Sequence, residues 1–259
     1  MIMKTDERHR RIAEILRERS EVTVDELTAA CDASGATIRR DLEVLAANGV
    51  LRRVHGGARS LIGRGGNPGY GQRELEDQDA KKRIAAAVAL LLQEREHVWL
   101  DSGSTATEVA RALTGRDLTV MPMSVRALNV LTVEEATAGT RPALLLPGGS
   151  LIPGELSFRG PLAESNIRSL RFDTAVVTPC AVDLKHGLLA HDLDDAAVKR
   201  AGLESAGKVV VAASATKWDA HARALVSGLE RVDYLVTNKK FSAEERAQLD
   251  KYSLEVVTV

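Results

Sequence analysis

The chain is short of cysteine, of aromatic side chains and of net charge. Two cysteines occur among its 259 residues, Cys31 and Cys180. They fall in different expected domains, so a disulfide is not predicted, and neither has metal-ligand neighbours at useful spacing. Aromatics make up 3% of the residues against 44% hydrophobic overall, so the core must be aliphatic, as where helices pack on a sheet. The formal net charge of -1 points to no partner class by itself. No apolar run is long enough to cross a bilayer, and the N-terminus is charged and helical from Asp6. The sequence therefore predicts no membrane partner, no signal peptide and a cytoplasmic location. No internal repeat stands out.

What is present divides in two. The length leaves room for a domain of about 60 residues and one of about 190. Residues 59–74 are rich in glycine and include Pro68, which reads as a linker with its easiest hinge at 63–71. The expected boundaries are 1–58 for the small domain, 59–74 for the linker and 75–259 for the large one.

In the small domain, Ile12, Ile15 and Leu16 recur at helical spacing. Thr23 followed by Glu26 makes a capping box for a second helix that buries Val24, Leu27 and Ala30. Ser34 caps a third helix, which turns Ile38, Leu42 and Leu45 inward and stops at Asn48-Gly49. Three helices with a tight turn between the last two predict a helix-turn-helix. Ser34, Gly35, Ala36, Thr37, Arg39 and Arg40 then fall where recognition helices meet bases and phosphates. Residues 51–54 and those from Ala58 onward predict a two-stranded wing turning at Gly56-Gly57, with Arg52, Arg53 and His55 toward a phosphate backbone. An isolated arginine pair is ordinarily a solvated face; two capped helices followed by a basic hairpin point to double-stranded DNA. Residues 1–60 hold eleven Lys and Arg against ten Asp and Glu, a balance of +1. So small a phosphate footprint predicts a homodimer or homotetramer on repeated half-sites.

From Asp79 onward, short apolar runs at 98–100, 118–121, 143–146, 174–178, 209–212, 234–237 and 254–259 alternate with helical segments. That predicts an α/β domain with a mainly parallel sheet covered on both faces. Ligands of such folds sit outside the carboxyl ends of the strands. There the sequence places Asp101, Ser102, Gly103, Ser104 and Thr105 at the start of a helix, where amides and hydroxyls suit an anion. Ser124 and Arg126, Gly148 and Gly149, Asp183, Lys199 and Lys217 follow other strands. Each alone has a plainer reading as a cap, a turn or a solvated lysine, but parallel strands bring them to one edge. His191-Asp192 lacks a third ligand nearby, so no metal and no cofactor is expected.

These residues resemble the DeoR family of bacterial transcriptional regulators over nearly the whole chain. The likeness rests on Glu7-Arg8, on Thr37-Ile38-Arg39-Arg40-Asp41-Leu42 and on Leu51-Arg52-Arg53-Val54-His55-Gly56-Gly57-Ala58. Further on it rests on Arg73, Lys81 and Ile84, on Asp101-Ser102-Gly103-Ser104-Thr105, on Gly148-Gly149, on Gly160-Pro161-Leu162-Ala163-Glu164 and on Ala197-Val198-Lys199-Arg200-Ala201. The resemblance implies a sensor domain related to ribose-5-phosphate isomerase that binds a phosphorylated sugar or similar metabolite and relieves repression. On that analogy the loop at 101–105, Lys199 and Lys217 are the best effector contacts.

The chain departs from the family pattern at Met123, where asparagine is usual, and in Ala213-Ser214-Ala215-Thr216-Lys217-Trp218, which loses an acid. It departs again at Thr178-Pro179-Cys180-Ala181 and at Gly187-Leu188-Leu189-Ala190-His191-Asp192. These changes spare the phosphate-type loop but alter what surrounds a sugar, so the expected effector is an anionic, carbohydrate-derived molecule other than the commonest sugar phosphates. A sugar-phosphate isomerase with a DNA-binding appendage is the competing function, with Asp101 or Asp183 as its general base. A large domain serving only oligomerisation is a third.

Overall fold

The computed structural model describes residues 3–61, 69–133 and 141–259, apart from the side chain of Arg17. It forms two compact units, Met1–Gln78 and Asp79–Val259.

The first unit comprises α1 (Thr5–Glu18), β1 (Glu21–Thr23), α2 (Val24–Cys31), α3 (Gly35–Ala47), β2 (Leu51–Val54), β3 (Gly57–Ser60) and α4 (Tyr70–Leu75). Ile12 and Leu16 of α1, Leu27 of α2, and Ile38, Leu42 and Leu45 of α3 meet in one aliphatic core. The inward position expected at Ala30 belongs to its neighbour Cys31, because 24, 27 and 31 keep the i, i+3, i+7 stripe. The capping box at Thr23 and Glu26 is complete in both directions, and the Ser34 hydroxyl accepts from the Thr37 amide at 3.1 Å. The wing is three-stranded rather than two-stranded: β3 pairs with β2 on one side and with β1 on the other.

Of the residues read as linker, 59 and 60 complete β3 and 62–68 lie outside the described residues, with most of the expected hinge. Residues 70–75 are helical: Tyr70 is buried and Leu75 packs against the core of the first unit. Local glycine content suggested a loop there, and apolar side chains at both ends of the segment overrode it.

Helix α5 (Gln78–Leu90) begins on the last residue of the first unit, and the second unit goes on through β4 (His97–Leu100), α6 (Ser104–Leu113), β5 (Thr119–Pro122), α7 (Val125–Val133), β6 (Ala143–Leu144), β7 (Ser150–Ile152), β8 (Ser157–Arg159) and α8 (Pro161–Arg168). It continues with β9 (Phe172–Val177), β10 (Ala181–Asp183), β11 (Gly187–Ala190), α9 (Leu193–Glu204), β12 (Ala206–Ala212), β13 (Ala224–Ser227), β14 (Tyr234–Thr237), α10 (Ala243–Leu249) and β15 (Glu255–Thr258). Seven strands form one sheet in the order β15-β14-β12-β9-β4-β5-β6, and every pairing in it is parallel.

Both faces are covered, and strand alternation decides which residue serves which face. Val98, Leu100, Val120, Val176 and Val210 pack with α5, α6 and α7. Trp99, Met121, Val177 and Val211 point the other way, into a layer with α9. Helix α9 comes so close to the sheet that a Cβ on Gly202 would stand 2.6 Å from the Trp99 ring. Two antiparallel additions escaped sequence reading: the β7–β8 hairpin and a small sheet of β10, β11 and β13.

Candidate DNA interface and effector site

On α3, Ser34, Ala36, Arg39 and Arg40 are exposed, while Gly35 and Thr37 are half-buried at its first turn. The hydroxyls of Ser34 and Thr37 lie 2.9 Å apart, so both serve the cap in this state. Arg52, Arg53 and His55 are exposed on the wing, and Arg53 donates to Glu43 of α3 at 2.9 Å. An exposed pair of this kind holds by at most about 1 kcal/mol and is easily exchanged for a phosphate.

Behind the exposed arginines lies a buried pair that sequence reading did not interpret. Asp41, directly after Arg40, accepts from the Arg8 guanidinium at 3.0 Å and contacts His9 Nε2 at 2.9 Å. Burial opposes the Asp41 charge, yet Arg8 and His9 hold its pKa below the ordinary carboxylate value. Bonding to Asp41 likewise raises Arg8. The motifs containing Arg8 and Asp41 were visible; their contact spans 33 residues and was not.

At the carboxyl edge of the sheet, β4 delivers Asp101, which is 1% exposed. Lys199 donates to its two oxygens at 2.8 and 2.7 Å. The amides of Ser102 and Thr178 donate to the same carboxylate at 2.7 and 2.9 Å. Lys199 is the seventh residue of α9, nearly two turns in, where it reaches Asp101 at the end of β4. It also faces Asp195, one turn earlier, at 3.3 Å. Burial works against the Lys199 ammonium, but Asp101 and Asp195 outweigh it and raise its pKa above the usual lysine value. Asp195 is opposed by burial and lowered by Lys199 and Arg159.

Arg159, at the end of β8, extends the cluster. Its Nη1 donates to both oxygens of Asp192, at 3.0 and 2.8 Å, and its Nη2 stands 3.6 Å from Asp195. Asp192 is also the N-cap of α9, accepting from the Asp195 amide at 2.8 Å. Cys180 donates to Asp195 at 3.5 Å, and burial pushes its thiol up to about 11 against the pull of Lys199 and Lys217. Asp101, Lys199 and Lys217 are thus gathered around this cluster. Gly149 adjoins it: at φ +87°, a Cβ there would lie 2.4 Å from the Arg159 carbonyl oxygen. Gly148 precedes it at φ +70°.

The remaining loop residues divide. Ser102 and Gly103 are half-buried; Ser104 and Thr105 are buried in the first turn of α6. Ser124 is buried, accepts from the Ala127 amide at 3.2 Å and bridges to Ser157 of β8. Arg126 donates to the Gly154 carbonyl. Asp183 is carried away to the tip of the β10–β11 hairpin, where it accepts from the amides of Lys185 and His186 and meets the His186 ring at 3.0 Å. Its turn chemistry draws its pKa down despite partial burial. Trp218, expected beside the effector, packs edge-on against Phe241 at 5.0 Å, with Lys239 near both rings.

Sequence reading does not bring Arg159 or Asp195 to this cluster, and it considers Asp192 only beside His191, as a metal ligand. The i, i+4 pairing of Asp195 with Lys199 on one helix face was a readable signal. Nothing local announced Arg159, which lies in a short hairpin and meets partners 33 and 36 residues on. Among the described residues no group of three or more His, Cys, Asp or Glu is arranged to hold a metal ion.

A model of the DeoR-like helix-turn-helix domain matches residues 8–62, and one of the DeoR C terminal sensor domain matches 76–239. The chain is 31% identical to the HTH-type transcriptional regulator GlpR of Haloferax volcanii, covering 97% of this chain and 96% of that one. It is 34% identical to the transcriptional repressor AccR of Agrobacterium fabrum, with 90% of each covered. Ribose 5-phosphate isomerase A of Methanocaldococcus jannaschii aligns over 55% of each chain at 16% identity and a TM-score of 0.41. With both units matched and the relatives aligned nearly end to end, the chain belongs to the DeoR family of DNA-binding transcriptional regulators.

Proposed function

We propose that the chain is a repressor of carbohydrate catabolism genes that leaves its operator when the second unit binds an anionic, sugar-derived metabolite. In the first unit, Arg39, Arg40 and Arg52 are the working contacts, with His55 and, once released from Glu43, Arg53. Ser34, Gly35, Ala36 and Thr37 set the helix end that approaches the DNA.

The sensing half of the reading rests on the gathering of Asp101, Arg159, Asp192, Asp195 and Lys199 at the carboxyl edge of the parallel sheet. Taking ions out of water costs several kcal/mol each, so an apolar cluster would serve stability better. Charges concentrated where α/β folds take ligands suit recognition of a charged ligand. In this reading Lys199, Lys217 and the amides at 103–105, where α6 begins, face the anion, and Asp101 fixes Lys199 and the Ser102 amide rather than touching the effector. Both Asp101 oxygens are engaged by Lys199, which also counts against a free general base and an isomerase. Operator binding by two or four copies fits the near-neutral charge of the small domain.

A thermal-shift panel tests the reading. Phosphorylated, sulfonated and carboxylated sugars should include at least one that stabilises the protein, and the neutral parent sugars should not. Stabilisation by neutral sugars alone would sink the anionic effector.

A further inference from the structure

Arg159 is poorly used by its partners. Its Nε is buried and has no hydrogen-bond partner among the described residues. Its Nη2 lies 3.6 Å from Asp195, an ion pair beyond hydrogen-bond reach, so the Nε–Nη2 fork makes no hydrogen bond among the described residues. One nitrogen, Nη1, is shared by both Asp192 oxygens. A guanidinium is built to meet an oxyanion with two parallel N–H bonds, and that arrangement is the stronger one. Ser157, two residues earlier on β8 and so on the same face of that strand, also has a buried hydroxyl without a partner among the described residues.

The three carboxylates of the cluster differ in one decisive respect. The side chains of Asp101 and Asp195 are 2% and 8% exposed, whereas that of Asp192 is 52% exposed. Asp192 alone can turn into water without opening the core. An anion arriving at Arg159 meets the Asp192 carboxylate first, and two like charges cannot share one guanidinium at close range without cost unless that carboxylate moves away.

We propose that Arg159 is the anion-recognising side chain of the effector site and that Asp192 is its internal placeholder, displaced by the carboxylate, sulfonate or phosphate group of the effector. The inference deepens the anionic-effector reading above and depends on it. The incoming group takes the free fork of Arg159, within reach of the Ser157 hydroxyl, while Asp192 swings outward. The selectivity this gives is for an oxyanion rather than a hydroxyl. Because Asp192 also caps α9, its release alters the start of the helix that carries Asp195 and Lys199.

The test is calorimetric titration of the full chain with inorganic phosphate and with sulfate, at constant ionic strength. Asp192→Asn keeps a good helix cap while removing the competing charge. It should bind phosphate or sulfate about tenfold more tightly than the wild type, since the cost of displacing the placeholder is gone. Adding Arg159→Lys should erase that gain, because an ammonium offers no fork. Unchanged tryptophan fluorescence of both variants, from Trp99 and Trp218, checks that the second unit remains folded. If the wild type binds phosphate or sulfate and Asp192→Asn binds no more tightly, the placeholder is refuted and the anionic-effector reading survives. If no variant binds either ion and the sugar panel also fails, both are refuted together.

Discussion

The two units handle charge in opposite ways. The first displays it: Arg39, Arg40, Arg52, Arg53 and His55 all lie in solvent, and the strong ion pair, Arg8 with Asp41, is tucked behind them. The second conceals it: Lys199 and Asp101 are each 2% exposed at the side chain, locked to one another at the edge of a sheet. A polyanion such as DNA is met by exposed charge of this kind with little rearrangement beyond surface pairs such as Arg53–Glu43, through many weak, salt-sensitive contacts. A small anion must be enclosed by few groups, which have to be desolvated and aimed beforehand. The difference teaches that one unit is built to be found and the other to discriminate.

The comparison breaks most readily at Lys199. Replacing it with methionine leaves Asp101 and Asp195 buried without their shared cation, and losing one partner of such a set costs about 3–5 kcal/mol. Both tryptophans lie in the second unit. Thermal melting followed by tryptophan fluorescence should therefore fall sharply in Lys199→Met. A melt within a degree or two of wild type would mean the buried cluster is not the keystone described.

A smaller effect is expected behind the DNA-facing surface. Asp41→Asn should destabilise the first unit by about 3 kcal/mol, since Arg8 loses its charged partner. Amide hydrogen exchange along α3 should rise in the variant while the second unit keeps its protection. In the wild type, the depressed Asp41 pKa sets the sign of the pH response. Its stabilisation is complete above about pH 4, the ordinary carboxylate range, and is lost as pH falls through the lowered native value. Protection along α3, measured relative to the intrinsic exchange rate at each pH, should fall on that acid side and stay flat between neutrality and mild acid.

The exposed arginines give the smallest effect on stability and a selective one on binding. Arg39→Ala with Arg40→Ala should shift unfolding by no more than about 0.5 kcal/mol, as surface changes usually do. Each removed contact should weaken operator binding by about 1–3 kcal/mol if it reads a base edge, or lower the salt slope by about one if it holds a phosphate. Gel shifts at several salt concentrations separate the two roles. Wild-type binding by the double variant would move the interface elsewhere.

How far the sequence reached follows the same division. The first unit was legible because its signals are local: a capping box within four residues, Ser34 before Thr37, Asn48-Gly49 at a helix end. The errors there came where tertiary contact intervened, at β1 joining the wing and at Tyr70 and Leu75 turning an expected linker into a packed helix. In the second unit the parallel sheet is legible from its Val- and Leu-rich runs, as is the placing of the loop at 101–105 and of Lys199 at one edge of it. What escaped needed distance: Arg159 reaches Asp192 across 33 positions from a hairpin too short to show a pattern. Asp183 was misdirected for the converse reason, since its own backbone turn satisfies it before any ligand can. Trp218 shows that a departure from a family pattern marks a changed packing partner as readily as a changed pocket.

One measurement addresses the central claim, that exposed charge in one unit answers to enclosed charge in the other. Fluorescence anisotropy on the chain's own upstream DNA should be followed while an anionic sugar selected by thermal shift is added at fixed ionic strength. The anion should release the DNA, its neutral parent sugar should not, and neither should do so in Arg159→Lys. DNA affinity that no anion alters, or that the neutral sugar lowers equally, would contradict the claim.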